Sequence, residues 1–128
     1  MATKLVLIVD DNEAVATSLV IAFAKLQNVE TLVAHDPASA VRMFSNGFDG
    51  RTVAAIVTDF NLPHFNGLEL INQIRAFEQY RSLPVIMITA DDNNPLAANG
   101  CMLNTPNAIF RKPFSIREVC RVLEELLA

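Results

Sequence analysis

Short apolar runs recur along the chain, and consecutive runs are separated by stretches long enough to hold one helix each. The runs are rich in Val, Ile, Leu and Ala, and the second is weaker than the others. They are Lys4–Val9, Glu30–Ala34, Val53–Thr58, Pro84–Ile88 and Ala108–Arg111. Because they are apolar at consecutive positions, they are typical of strands that are buried on both faces of a parallel sheet.

The stretches between the runs repeat apolar residues with helical period. The first helix has two candidate N-caps, Asp11 and Asn12. The third, over Gly67–Phe77, carries Arg75 on its predicted outward face. The last opens with a capping-box sequence, Ser115–Glu118. The predicted inward positions are Val15, Leu19, Ala22, Phe23 and Leu26; Ala40, Val41 and Phe44; Leu68, Leu70, Ile71, Ile74 and Phe77; and Ile116, Val119, Cys120 and Leu123.

The segment Asn93–Thr105 is the least clear helix, because Pro95, Gly100 and several asparagines lower its helix propensity. Two interpretations are open. The segment forms a short helix, or it forms a helix of ordinary length because tertiary packing overrides the low propensity. With this segment included, five strands alternate with five helices, and such short connections predict a doubly wound α/β sandwich. In such sheets, sites form outside the carboxyl ends of the strands.

The composition limits the class of protein. With 128 residues, of which 52% are hydrophobic, we expect a single domain over residues 1–128 with a sizeable core. The formal charge of -4 and the lack of a basic stripe give no reason to expect nucleic-acid binding. No apolar run is long enough for a bilayer and no signal peptide opens the chain, so we expect a cytoplasmic protein without membrane contact. Cys101, Cys120, His35 and His64 are too scattered to predict a zinc site.

Polar residues with related chemistry follow four of the five predicted strands. Asp10 and Asp11 come after the first run, Asp59 comes after the third, Thr89 ends the fourth, and Lys112 follows the fifth. Each has an ordinary explanation by itself, such as a helix cap for Asp11 or a solvated surface charge for Lys112. Because the carboxyl ends of parallel strands meet at one edge, we expect all five side chains to converge there.

Such a set of side chains suits phosphoryl chemistry. Three carboxylates in one pocket need a cation, and hard oxygen ligands favour Mg²⁺. Lys112 is a point charge suited to a phosphate oxygen, and Thr89 offers a hydroxyl donor. The carboxylate of Asp59 can act as a nucleophile toward phosphorus and form an aspartyl phosphate.

Four segments together resemble the receiver domains of two-component response regulators, the CheY-like family. They are LIVDDN at the first strand, VTDFNLPHFNGLEL around Asp59, VIMITA at the fourth strand and FRKPF at the fifth. The match covers nearly the whole chain. The resemblance implies a flavodoxin-like fold with strand order 2-1-3-4-5 and five helices.

The resemblance also implies roles for the matching residues. Asp59 would accept a phosphoryl group from a histidine kinase or a histidine phosphotransfer protein. Asp11, Asp59 and the backbone carbonyl of Asn61 would bind Mg²⁺, and Asp10 would act through a metal-bound water. Lys112 would pair with the phosphate, and its peptide bond to the following proline would be cis. Thr89 would be the switch hydroxyl.

The implied output is a change in the face formed by the predicted fourth helix, the fifth strand and the predicted fifth helix, which a downstream domain or protein would bind. Such a domain is not an enzyme, apart from catalysing its own phosphorylation and dephosphorylation. One departure from the family is Ile109, where a tyrosine or phenylalanine is frequent. The alternatives are a phosphorelay intermediate, which Ile109 mildly favours, an interaction module that works without phosphorylation, and, more remotely, a small metal-dependent phosphatase.

Overall fold

The centre of the molecule is a five-stranded parallel sheet. A computed structural model of the chain describes residues 3–62, 64, 66–90 and 105–128. The strands are β1 (Lys4–Val9), β2 (Val29–Ala34), β3 (Val53–Asp59), β4 (Val85–Thr89) and β5 (Ala108–Arg111). Their order across the sheet is β2-β1-β3-β4-β5, which confirms the predicted α/β fold and strand order.

The described residues contain four α-helices, not the five that were expected. They are α1 (Glu13–Ala24), α2 (Pro37–Asn46), α3 (Gly67–Arg75) and α4 (Ile116–Leu127), and a 3₁₀ turn at Glu78–Tyr80 follows α3. The remaining expected helix was placed in Asn93–Thr105, which lies outside the described residues except for Thr105, as does Cys101. Within the described ranges, no helix combines the length and apolar character needed to span a membrane.

Of the four described helices, one pair packs on each face of the sheet. The α2–α3 core includes Leu7, Val9, Ala40, Phe44, Ile56, Leu70, Ile71, Ile74 and Met87. The α1–α4 core includes Val6, Ile8, Leu19, Phe23, Val57, Ile86, Val119 and Leu123. Successive strand residues therefore alternate between two apolar layers, which explains why the strands lack polar alternation.

The structure distinguishes the two candidate caps of α1. Asn12 Oδ1 accepts hydrogen bonds from the N–H groups of Ala14 and Val15, at 3.0 and 3.2 Å, so Asn12 is the N-cap. The neighbouring Asp11 is exposed and is not used as the cap. Its carboxylate is therefore available for the site described below.

Three predictions about the helices were wrong, and a fourth was confirmed only in part. The predicted outward-facing Arg75 is half-buried, and α3 ends at this residue, two positions earlier than predicted. Ile116 was predicted to face inward but is 36% exposed, because it is the first residue of α4 and lies at the edge of the core. The Ser115–Glu118 capping box is only half formed, since Ser115 Oγ accepts from the Glu118 N–H while the Glu118 carboxylate accepts from Arg121.

Candidate functional site

Asp10 lies directly after β1 and is almost completely buried, with 1% of its surface exposed. Its Oδ1 accepts a hydrogen bond from the N–H of Asn12 at 2.8 Å. Two positions earlier, Ile8 packs in the α1–α4 core. Because side chains alternate along a strand, Asp10 continues the row of that core at the carboxyl edge of the sheet.

Asp59 occupies the equivalent position on the neighbouring strand. It is the last residue of β3, whereas the sequence placed it just beyond the strand. Val9 pairs with Thr58, so the next position along each strand puts Asp10 beside Asp59. The side chain of Asp59 is 5% exposed, and its Oδ1 accepts from the N–H of Asn61 at 3.2 Å. Asn61 itself is exposed, just after the strand.

The three carboxylates form one cluster. One oxygen each from Asp10, Asp11 and Asp59 lies within 4.8 Å of the other two. Two of these side chains are buried and Asp11 is exposed, so the cluster opens to solvent on the Asp11 side. Oxygen ligands of this kind and spacing fit a hard divalent cation such as Mg²⁺.

Lys112 supplies the positive charge next to this cluster. Its Nζ lies 3.3 Å from Asp59 Oδ2, and 27% of its side chain is exposed. The backbone N–H of Lys112 donates to the carbonyl of Thr89 at 2.8 Å, which ties the end of β5 to the end of β4. The Lys112–Pro113 peptide bond is cis, as the resemblance implied.

Thr89 is buried at the end of β4, the strand that lies between those of Asp59 and Lys112. In the register of the sheet Asp59 pairs with Ile88, so Thr89 lies one position beyond Asp59. The structure therefore places Thr89 at the same edge as the acidic cluster and Lys112. The following residue, Ala90, is exposed.

The surroundings of Asp10 disfavour the charged form of its carboxyl group. Burial raises the pKa of Asp10 above its ordinary value, because the charged carboxylate loses hydration. The negative charges of Asp59 and Asp11 also raise it, while the Asn12 N–H and the Lys112 ammonium lower it. The charged form of Asp10 is thus one that a cation would stabilise.

Gly67, whose role the sequence pattern did not indicate, packs closely against the backbone of Asp59 and Phe60. Its N–H donates to the Phe60 carbonyl at 2.8 Å. A Cβ at this position would lie 2.8 Å from the Asp59 carbonyl oxygen and 3.0 Å from Met87 Cε. The first residue of α3 therefore has to be glycine for the helix to approach the end of β3 this closely. The Asn66 cap, which accepts from the Glu69 N–H, starts the helix at this point.

Residues 6–124 match the family model described as the response regulator receiver domain. The chain belongs to this family. Receiver domains are phosphoacceptors of two-component signalling, not conventional enzymes, and they bind Mg²⁺ at an acidic pocket. CheY-like receiver domains generally interact with histidine kinases and with downstream effectors.

Chemotaxis proteins are among the relatives of this receiver domain. It is 28% identical over 121 residues to the Chemotaxis protein CheY homolog of Campylobacter jejuni, covering 94% of this chain and 90% of the relative. It is 30% identical over 122 residues to Chemotaxis protein CheY-3 of Vibrio cholerae, and the match covers 94% of this chain and 89% of the relative. The receiver domain of a sensor histidine kinase from Pseudomonas aeruginosa, solved with a magnesium ion in its active-site cleft, matches with a TM-score of 0.80 and 28% identity, covering 98% of each chain.

Ile109, the departure from the family pattern, lies in β5 opposite Met87 of β4. It is partly buried and packs against the α2–α3 core of the receiver domain. Phe110, the next residue, packs against the α1–α4 core on the other face of the sheet. The aromatic ring of β5 in this chain therefore lies on the opposite side of the sheet from Ile109.

Proposed function

We propose that this receiver domain accepts a phosphoryl group on Asp59 from a histidine kinase or a histidine phosphotransfer protein, and that Mg²⁺ is required. The observation that carries the proposal is the position of Asp59, with the Lys112 ammonium 3.3 Å from Oδ2 and two further carboxylates within 4.8 Å. Among these three carboxylates, Asp59 has both a backbone N–H and an ammonium as hydrogen-bond donors. These two donors fix the orientation of its carboxylate.

In the proposed reaction, an oxygen of the Asp59 carboxylate forms a bond to phosphorus, and the bond between phosphorus and the histidine nitrogen of the donor breaks. The electron pair of that bond leaves with the imidazole. Lys112 balances the charge that the phosphoryl group brings, and it needs only a small movement from the carboxylate to a phosphate oxygen. Asp11, Asp59 and the Asn61 carbonyl would hold Mg²⁺ directly, and Asp10 would hold it through water. When bound there, Mg²⁺ would supply positive charge to offset that of the transferring group.

In hydrolysis, the oxygen of a water molecule would bond to phosphorus while the bond from phosphorus to the Asp59 oxygen breaks, which releases inorganic phosphate and returns Asp59 to its free form. Thr89, at the edge shared by Asp59 and Lys112, would respond to the phosphoryl group by donating its hydroxyl to it. The response would alter the partner-binding face that β5 and α4 contribute to. A local charge would thus bias an element with two arrangements, as in other phosphorylation switches.

Labelling with a small phosphodonor tests the proposal. Incubation with acetyl phosphate and Mg²⁺ should add one phosphoryl group to the chain, detected by intact mass and assigned by peptide mapping to Asp59. Asp59→Asn should remove the label. Asp49→Asn is the matched control, because Asp49 is exposed in a turn with φ of 55°, a conformation that Asn also adopts.

We expect Asp49→Asn to be labelled fully and Asp59→Asn not to be labelled. Labelling that persists in Asp59→Asn would show that the phosphoryl group goes elsewhere, and the assignment of Asp59 would be wrong.

A further inference from the structure

Arg75, the last residue of α3, connects this helix to the starts of two strands. Its Nη1 donates to the carbonyl of Thr105 at 2.6 Å. Its Nη2 donates to the carbonyl of Leu83 at 2.8 Å and to Asn107 Oδ1 at 3.1 Å. Leu83 lies just before β4, and Thr105 and Asn107 lie just before β5. One guanidinium therefore joins the segments that lead into both strands.

Asn107 carries this contact into the sheet. Its N–H donates to the carbonyl of Val85 at 2.8 Å, and its Oδ1 accepts from the N–H of Val85, also at 2.8 Å. Asn107 Oδ1 thus receives one donor from β4 and one from Arg75. The regular pairing of the two strands, Ile86 with Ala108, starts one residue later. The register of β5 on β4 is therefore set where Arg75 bonds to Asn107.

The environment of Arg75 is costly for a positive charge. The side chain is half-buried, and its Nε is a buried donor that has no hydrogen-bond partner. Among the residues that the structure describes, every acceptor of Arg75 is a neutral oxygen. Burial lowers the pKa of Arg75, although a guanidinium stays charged. An apolar side chain would avoid this cost, but only a planar guanidinium holds three acceptors in fixed directions.

β5 is a strand whose register needs such support. It has four residues, it lies at the edge of the sheet, and it pairs with β4 alone. Directly after it comes Lys112, whose Nζ lies 3.3 Å from Asp59 Oδ2. A shift of one residue would move the backbone of Lys112 by about 3.3 Å and turn its side chain to the other face.

We propose that Arg75, acting through Asn107, is a positioning residue that sets the register of β5 and thereby holds Lys112 against Asp59. The inference rests on the proposed function, because the rate at which Asp59 is phosphorylated is what a displaced Lys112 would change. Arg75 has no contact with the acidic cluster. The expected route from Arg75 to phosphorylation is the position of Lys112.

A double-mutant cycle with Lys112 tests this. The rate of labelling by acetyl phosphate at saturating Mg²⁺ should fall about tenfold in Arg75→Met, because small misplacements of a catalytic group cost up to about 10²-fold. The Mg²⁺ affinity, measured by calorimetry, should stay as in the wild type. In a Lys112→Met background, Arg75→Met should cause no further loss of rate. Arg81→Met, at an exposed arginine outside these contacts, is the matched control and should label normally.

Two variants of Asn107 keep the inference testable even if Arg75→Met does not fold. Asn107→Asp retains an oxygen acceptor for Val85 and Arg75, so it should label at the wild-type rate. Asn107→Ala removes the acceptor and should label about as slowly as Arg75→Met.

The inference would be overturned by a wild-type labelling rate in Arg75→Met or in Asn107→Ala. It would also be overturned by a loss of rate in Asn107→Asp as large as in Asn107→Ala, or by effects of Arg75→Met and Lys112→Met that multiply. If the wild-type chain itself is not labelled on Asp59, the proposed function fails and the inference falls with it. The wild-type measurement therefore separates the two failures.

Discussion

Asp10 is a carboxylate that the fold buries next to two other carboxylates. Burial and the neighbouring negative charges raise its pKa, and the Asn12 N–H and Lys112 offset this only in part. Without a metal ion, the folded chain therefore carries an unfavourable charge at the centre of its site. A carboxylate buried beside two others does not stabilise the fold, and ion binding explains its presence better.

The substitution Asp10→Asn should stabilise the metal-free chain near neutral pH. The ordinary pKa of this carboxyl is 3.8, and the folded value is higher, so the folded state binds the proton more tightly. As the pH rises from 3.8 through the folded pKa, the contribution of Asp10 to the free energy of unfolding falls. Asn cannot ionise and still accepts from the Asn12 N–H, so the variant should be more stable by about 1 kcal/mol near pH 7.

Urea unfolding in the presence of a chelator measures this difference across the pH range. The difference in the free energy of unfolding between Asp10→Asn and the wild type should be largest near neutral pH and should shrink toward pH 3.8. Asp49→Asn in an exposed turn corrects for the general effect of removing one negative charge. A variant that is less stable than the wild type near neutral pH would contradict the electrostatic account of Asp10.

At the scale of elements, the strands were predicted to within one residue at each end. Long apolar runs leave few alternatives in a buried parallel sheet, which is why Asp10, Asp59 and Lys112 could be placed at one edge from the sequence. The end of α3 was predicted less well, because Arg75 is held by carbonyls of distant segments, and helical periodicity contains no information about such contacts. The role of Gly67 was missed for the same reason.

Gly67→Ala should destabilise the fold, although alanine is the better helix former by about 0.5–1 kcal/mol. The added Cβ would lie 2.8 Å from the backbone oxygen of Asp59, which cannot move aside as a flexible side chain would. Overpacking of this kind costs about 1–3 kcal/mol. Because Asp59 takes up part of the displacement, labelling by acetyl phosphate should also slow.

Gln73→Ala is the matched control for this prediction, since Gln73 is an exposed residue of the same helix. Its free energy of unfolding should change by less than about 0.5 kcal/mol. Both variants can be compared by urea unfolding. Equal or greater stability of Gly67→Ala than of the wild type would show that the contact with Asp59 is not a close one in solution.

At the scale of the whole molecule, the formal charge of -4 is unevenly distributed, because three carboxylates meet at one edge of the sheet. Mg²⁺ should therefore raise the melting temperature of the wild-type chain by binding the folded state alone. At an Mg²⁺ concentration 100 times the dissociation constant, the free energy of unfolding would rise by about 2.7 kcal/mol. Thermal unfolding followed by circular dichroism, with and without Mg²⁺, measures the shift.

Screening by salt would also relieve repulsion among the carboxylates, so the control is NaCl at matched ionic strength. Mg²⁺ should exceed this control in the wild type, and Asp11→Asn should reduce the difference. An equal rise in melting temperature with Mg²⁺ and with NaCl would mean that no specific ion site exists at this edge of the sheet.

Asp10, Asp59 and Lys112 lie at the ends of strands that are far apart in the chain, and the parallel sheet brings these ends to one edge. Any continuous fragment that contains the complete site must run at least from Asp10 to Lys112. The proposed capacity to accept a phosphoryl group thus requires the finished tertiary structure, with β5 docked on β4. Acyl phosphate formation on Asp59 would therefore serve as a chemical reporter of correctly assembled molecules in a mixed population.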